Sequence, residues 1–161
     1  MRRLLYLIIA FMGATLLLPS CNNSTIFDQY AHTPISGWEK NDTLSFEVSP
    51  LAEAGMYQQG LGLRITGDYP FMSLTLIVKQ TVFHNKLKVA SECKVDTVVC
   101  ELIDKNGVSK GQGISYYQFN VPINTYKMHQ GDSIHIAIQH DMKREILPGV
   151  SDVGIKISKM K

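Results

Sequence analysis

A strict alternation of apolar and polar residues is the feature that most constrains how this chain can fold. In the segment Leu44–Val48, the residues Leu44, Phe46 and Val48 alternate with Ser45 and Glu47. The same pattern recurs in later segments, at residues 61–65, 74–78, 134–138 and 153–157. Because successive side chains of a strand point to opposite faces, each segment predicts a β-strand with one buried face.

Two further segments complete the set of predicted strands. Residues 98–103 are followed by Asp104–Gly107, whose Asn-Gly pair accepts the positive φ angles of a tight hairpin turn. Residues 114–121 carry apolar side chains on both faces, which predicts a strand covered on both sides or at an edge of two sheets. The only helical candidate is about one turn at Met142–Leu147. Seven or eight strands predict an all-β fold, an antiparallel β-sandwich of jelly-roll or immunoglobulin-like type.

The first twenty residues have the form of an export signal. Arg2 and Arg3 precede an apolar run at residues 4–18, which is shorter than the roughly 20 residues needed to span a bilayer. The sequence "LPSC" then resembles the lipobox of bacterial lipoproteins, in which Cys21 is acylated and becomes the first residue. We therefore expect a signal peptide at 1–20, a tether at 21–41 without regular periodicity whose aromatic residues dock on the domain, and the β-sandwich domain at 42–161.

The charge of the chain argues against nucleic-acid binding, and the spacing of its cysteines bears on their redox state. The whole chain has 16 basic and 14 acidic residues, and removal of residues 1–20 leaves 14 of each. A neutral chain without a basic stripe is not expected to bind nucleic acid. Cys93 and Cys100 would lie on opposite faces of one strand, about 23 Å apart, which favours free thiols. A disulfide between these cysteines remains an alternative only if a turn brings them together. An oxidising envelope would permit such a bond.

The motifs of common enzymes are absent from the sequence. There is no GxSxG motif, and the five histidines, at positions 32, 84, 129, 135 and 140, lack the usual ligand spacings. Neither a metal nor a cofactor is therefore predicted. Asp141 and Glu145 could act as paired hydrolase carboxylates only if they faced each other across a groove.

The densest group of ionisable residues lies in the connection His140–Asp152. One interpretation is a solvated loop in which Arg144 pairs with Glu145 or Asp152. The other is a surface for a protein partner, since loops of such scaffolds commonly carry recognition. The candidate interaction residues are His140, Lys143, Arg144, Glu145 and Asp152, together with Tyr69 from an earlier turn. Tyrosines at 69, 116 and 117 also suit a glycan-binding module, although they suit a core equally well.

Several motifs together resemble a known family. They are the lipobox, "WEKNDTLSF" at 38–46, "YPFMSLTLIV" at 69–78, "DTVVCEL" at 96–102 and "HDMKREILPGVSDVGIKI" at 140–157. The chain is similar to the gliding-motility-associated lipoprotein GldH family of Bacteroidetes, in its Bacteroides-type branch. The resemblance implies an envelope lipoprotein that is anchored through acylated Cys21, associated with the machinery by which gliding relatives move, and without an assigned enzymatic site. The charged loop at 140–152 leads us to expect a non-enzymatic protein that acts through protein-protein interaction; a glycan-binding module is the alternative. Asn22–Ser24 lacks the acidic run associated with outward export, so we expect it to face the periplasm.

Overall fold

A computed structural model describes residues 24–84 and 90–160, except for the side chains of residues 90 and 91. The described residues form ten β-strands. These are β1 (Thr25–His32), β2 (Trp38–Glu39), β3 (Leu44–Val48), β4 (Gly55–Thr66), β5 (Ser73–Phe83), β6 (Ala90–Glu101), β7 (Tyr116–Met128), β8 (Ser133–His140), β9 (Ile146–Leu147) and β10 (Val150–Lys159). In that part of the chain no helix is long and apolar enough to cross a membrane.

The strands form two four-stranded antiparallel sheets and one short ribbon. Sheet I has the order β1-β10-β4-β7, and sheet II has the order β3-β8-β5-β6. Strands β2 and β9 pair with each other through Trp38 and Leu147. The predicted all-β class and sandwich-like arrangement are confirmed.

The core lies between the two sheets, where the apolar side of each alternating strand is buried. Central strands supply most of it, with side chains almost fully removed from solvent: Leu61, Leu63, Ile65, Leu74, Leu76, Val78, Ile136, Ile138, Val153, Ile155 and Ile157. Complete burial of one such side chain stabilises the fold by about 1.5–3 kcal/mol relative to its exposure. The alternation seen in the sequence is therefore the pattern that holds the sheets together.

The expected tether is wrong from residue 25 onward. Residues 25–32 form β1, which pairs along its length with β10 and is an edge strand of sheet I. Phe27 is buried and Trp38, in β2, is completely buried, so these aromatic residues do pack on the domain as expected. Residues 25–32 therefore belong to sheet I, because β10 offers an edge to which this segment hydrogen-bonds.

The expected helical turn at Met142–Leu147 is also wrong. Its end forms β9, and the Lys40 N–H donates to the Glu145 carbonyl at 2.8 Å. The hairpin turn is confirmed, since Gly107 has φ +80° and the Asp104 carboxylate accepts from the Val108 N–H. Strand β7 is an edge strand of sheet I, as the residues on its two faces suggested.

Both described cysteines lie on β6 and are free thiols. Cys93 is exposed, whereas Cys100 is buried between the sheets. Burial raises the pKa of Cys100 to about 12. The interpretation that favoured two free thiols agrees with this arrangement.

Candidate functional site

The course of β1 gives the domain two ends of different character. Ser24 lies three residues after Cys21, and its carbonyl accepts a hydrogen bond from the Lys159 N–H at 2.7 Å. We call this the anchor end. Strand β1 then runs eight residues, or about 25 Å, to His32 at the opposite end, which we call the distal end.

Four chain connections meet at the distal end. They comprise residues 33–37, 67–72, 102–115 and 141–149. Backbone hydrogen bonds join the connections to one another or to the adjacent strand ends, from Leu102 to Met72 at 2.8 Å, from Thr33 to Ser151 of β10 at 3.0 Å and from Thr66 of β4 to Gly149 at 2.8 Å. The loop containing the predicted interaction residues is therefore part of a larger surface that four connections build together.

The distal end also carries most of the large apolar side chains exposed among the described residues. Of eleven, six lie on or beside its connections: Ile35, Met72, Val108, Ile114, Tyr116 and Ile146. Scattered exposed apolar residues are normal, but their concentration on adjoining segments is typical of an interaction site. We call these six residues, with Lys143, Arg144 and Glu145, the distal surface.

The predicted loop residues divide by burial. Lys143, Arg144 and Glu145 are exposed, as an interaction surface requires. His140 is 2% exposed, with Nε2 placed 3.1 Å from the Trp38 carbonyl oxygen and its ring edge-on to the indole at 5.2 Å. Burial lowers the pKa of His140, and this effect is larger than that of the hydrogen bond to the Trp38 carbonyl, which raises it. His140 therefore supports the loop from inside and does not face a partner.

Tyr69 is the second candidate that the structure buries. Its hydroxyl donates to the Ser73 carbonyl at 2.8 Å, and its ring packs edge-on against Phe71. Burial raises the pKa of Tyr69, so the phenol stays protonated. Of the other two tyrosines, Tyr117 packs partly against the core and Tyr116 is exposed.

Asp152, the third buried candidate, belongs to the outer face of sheet I. Its carboxylate contacts the His32 imidazole, accepts from Ser151 Oγ at 2.7 Å and lies 4.0 Å from Arg64 Nη1. The expected pairing of Arg144 with Glu145 or Asp152 does not occur among the described ion pairs. Asp141 instead lies 3.9 Å from Lys40 Nζ.

The same outer face contains a polar groove of about 770 Å³. Its polar lining comes from all four strands of sheet I: Asp28, Gln58, Arg64, Gln118, Asn120 and Lys156. The Tyr30 side chain lies against Gly62 and Gly154, where an added Cβ would approach its hydroxyl oxygen to 2.3 Å and its ring carbon Cδ1 to 2.7 Å respectively. The Arg64 guanidinium lies 4.1 Å from the ring centroid. Tyr30 is thus held between glycine backbone and a cation, and it lines the groove together with the polar side chains and with Leu61, Val121 and Pro122.

A separate cluster of His84, His129 and Asp132 lies at the anchor end. His84 Nδ1 is 2.8 Å from Asp132 Oδ1, and the His129 N–H donates to Oδ2 at 2.8 Å. Burial alone would raise the pKa of Asp132, but the His129 backbone N–H and the two imidazoles outweigh it and hold the pKa below its ordinary value. The sequence did not predict this cluster, because His84 is far from His129 and Asp132 along the chain and no ligand spacing connects the three.

The described residues thus define a class of protein: an antiparallel β-sandwich with an apolar and charged surface at one end. A family model described as "GldH lipoprotein" matches residues 25–157. The chain therefore belongs to the GldH lipoprotein family, which confirms the resemblance found in the motifs.

Curated relatives agree with this assignment. The chain is 30% identical over 155 residues to the gliding motility lipoprotein GldH of Flavobacterium johnsoniae, an alignment that covers 89% of this chain and 91% of that protein. It is 25% identical to the gliding motility lipoprotein GldH homolog of Christiangramia forsetii, over 92% and 93% of the two chains. Among solved structures, a GH115 4-O-methyl-α-glucuronidase is 11% identical, with a TM-score of 0.46 over 88% of this chain and 18% of that chain. That likeness is too distant to inform function.

Proposed function

We propose that this protein is a non-enzymatic lipoprotein of the cell envelope that binds another envelope protein through its distal surface. The observation that carries the proposal is the concentration of exposed apolar side chains there, next to exposed Lys143, Arg144 and Glu145. Apolar residues surrounded by charges match the apolar centre and polar rim of protein interfaces. Family membership supports a place in the machinery with which the named relatives are associated.

The position of Cys21 supports an outward-pointing distal surface. Acyl chains on this residue would hold the anchor end at a lipid surface, since two or more chains give stable attachment. Three exposed apolar residues gather near Ser24: Ile26, Met56 and Met160. These side chains suit contact with the lipid interface. The distal surface would then lie in the periplasm, about 25 Å from the anchor end, which is the length of β1.

Crosslinking in the native envelope tests the proposal. The test variant carries Ile35→Ser and Ile146→Ser, which change exposed side chains only. The matched control carries Val95→Ser on β6, since this valine is 58% exposed and pairs with Lys79 in the middle of β5, away from the distal connections. We expect the test variant to lose the crosslinked partner that the wild type and the control retain. Recovery of the same partner by all three would contradict the proposal.

A second variant separates charge from apolar contact. Lys143→Ala with Arg144→Ala removes two exposed cations without touching the core. If the partner is acidic, its association rate should fall and its salt dependence should weaken, whereas its dissociation rate should change less. Equal thermal unfolding of all variants shows that the fold is intact. Cys21→Ala should abolish palmitate incorporation and release the protein from the membrane fraction.

The polar groove of sheet I supports a second candidate function, glycan binding. It presents amide, carboxylate and ammonium groups from four strands over a floor that includes Gly60, and sugar hydroxyls need such donors and acceptors. Isothermal titration with a panel of polysaccharides tests it. Binding that is lost in the double variant Gln118→Ala and Asn120→Ala would favour the glycan function. Absence of heat across the panel would remove it.

A further inference from the structure

The cluster of His84, His129 and Asp132 joins two parts of the fold at the anchor end. His84 follows the last residue of β5 in sheet II, whereas His129 and Asp132 form the turn between β7 and β8. Asp132 is 2% exposed, and its carboxylate lies between the two imidazoles. One coordinating atom from each of the three residues lies within 4.8 Å of the other two.

Backbone contacts already explain why Asp132 holds its position. The His129 N–H donates to Oδ2, the Asp132 N–H donates to the His129 carbonyl, and the Leu51 N–H donates to the Asp132 carbonyl. These bonds fix the turn and aim the carboxylate without help from either imidazole. Both rings nevertheless converge on it, although their side chains are 45% and 69% exposed.

We propose that His84, His129 and Asp132 bind a divalent transition-metal ion, for which Zn²⁺ is the leading candidate. Imidazole nitrogen and carboxylate oxygen are common zinc ligands at about 2.0–2.2 Å, so two ligands of a tetrahedral ion lie about 3.3 Å apart. The His84 Nδ1–Asp132 Oδ1 distance of 2.8 Å and the His129 Nδ1–Asp132 Oδ2 distance of 3.4 Å bracket that value. The two distances end on different oxygens of the carboxylate, so the rings, which are partly exposed, would rotate to place all three ligand atoms around one ion.

The donor set also decides which ions fit. Two imidazoles and one carboxylate suit zinc, copper or nickel, whereas calcium and magnesium prefer oxygen ligands alone. The exposed side of both rings leaves the fourth position open to water. The ion would replace the hydrogen bond between His84 Nδ1 and Asp132, so Nδ1 of each imidazole must be free of its proton.

The location separates this proposal from the proposed function. The cluster lies near Leu51, at the anchor end, whereas the proposed partner surface is distal. The ion would connect the end of β5 to the turn after β7, and so connect sheet II to sheet I. Its effect is therefore expected on the stability of the sandwich, and binding of a protein partner at the distal surface should not depend on it.

Isothermal titration with Zn²⁺ alone tests the site. The protein is the mature chain without an affinity tag, carrying Cys21→Ser and Cys93→Ser so that no exposed thiol competes for zinc. The test variants are His84→Asn and His129→Asn. The matched control is His135→Asn on β8, because His135 also faces a carboxylate, with Nε2 3.6 Å from Glu47 Oε1, but has no second imidazole there.

We expect one zinc ion per chain in the parent and in the His135 variant. Each test variant should bind more weakly by over about 100-fold, since loss of an outer-shell partner alone costs roughly 10–100-fold. Zinc should also raise the midpoint of thermal unfolding in the parent but not in the test variants, because an ion that binds only the folded state stabilises it. Unfolding of the variants without zinc checks that they fold. Absence of binding by the parent, or equal binding by parent and test variants, would overturn the proposal.

Discussion

A comparison of two glycines measures how firmly the distal surface is held together. Gly149 and Gly107 have nearly equal positive φ angles, +77° and +80°. A Cβ added at Gly149 would lie 2.3 Å from the Tyr69 backbone nitrogen and 2.6 Å from its Cα. A Cβ at Gly107 would meet nothing within 4 Å. Both Gly149→Ala and Gly107→Ala therefore place an alanine in the left-handed backbone region. Only Gly149→Ala also produces a steric clash.

The expected magnitudes follow from these two terms. An L-residue in the left-handed region costs roughly 1–2 kcal/mol, which both variants incur. Overpacking adds typically about 1–3 kcal/mol, and only Gly149→Ala incurs it, because the atoms in its way belong to the backbone. That backbone cannot move freely, since the Tyr69 hydroxyl bonds Ser73 and Thr66 bonds Gly149. We expect Gly107→Ala to lose about 1–2 kcal/mol and Gly149→Ala about 2–5 kcal/mol.

Urea unfolding followed by circular dichroism gives both free energies by linear extrapolation. The slope should be the same in both variants, because neither substitution changes how much surface unfolding exposes. Equal loss of stability in the two variants would refute the reasoning. It would mean that the connections at residues 67–72 and 141–149 can separate at little cost, which a preformed distal surface does not allow.

Three further predictions test the interior. The folded pKa of His140 is lower than its unfolded value of about 6.5. Neutral His140 therefore contributes fully to the free energy of unfolding above that pH, and this contribution is lost as the pH falls toward the folded pKa. Urea unfolding across this range should show a smaller decrease of the free energy of unfolding at acidic pH in His140→Gln than in the wild type. A thiol reagent should label Cys93 in the folded protein and Cys100 only after unfolding, by mass spectrometry of the chain carrying Cys21→Ser. Leu147→Ala should cost about 2–5 kcal/mol and its exposed neighbour Ile146→Ala less than about 0.5 kcal/mol in the same unfolding measurement.

The sequence predicts the central strands well because their two faces differ so strongly. In β8 the buried residues Ile134, Ile136 and Ile138 alternate with partly exposed ones, so the strand is visible as a pattern. In β1 only Phe27 is buried, because an edge strand covers less of the core. Its pairing with β10 depends on a segment more than a hundred residues away, and no local pattern records that.

The candidate site is predictable as a loop but not residue by residue. Polarity identifies the connection His140–Asp152, and exposed Lys143, Arg144 and Glu145 lie within it. Burial of His140 and Asp152 depends on what the fold places over them, which is Trp38 in one case and His32 with Arg64 in the other. These partners come from distant strands. Charge density in a sequence therefore locates a loop, whereas side-chain availability requires the tertiary structure.

Under the proposed function, the two ends of the domain would carry opposing loads. A partner bound at the distal surface would pull against an acyl anchor at Cys21 through the sandwich, and β1 and β10, paired from His32 to Thr25, connect the two ends along one edge of sheet I. In this pair the hydrogen bonds lie across the line joining the two ends, so a pull along the strands loads many bonds together. We expect such a strand pair to resist extension between the two ends. The alternation of the central strands stabilises the core, whereas β1, in which only Phe27 is buried, connects the two ends through its backbone hydrogen bonds.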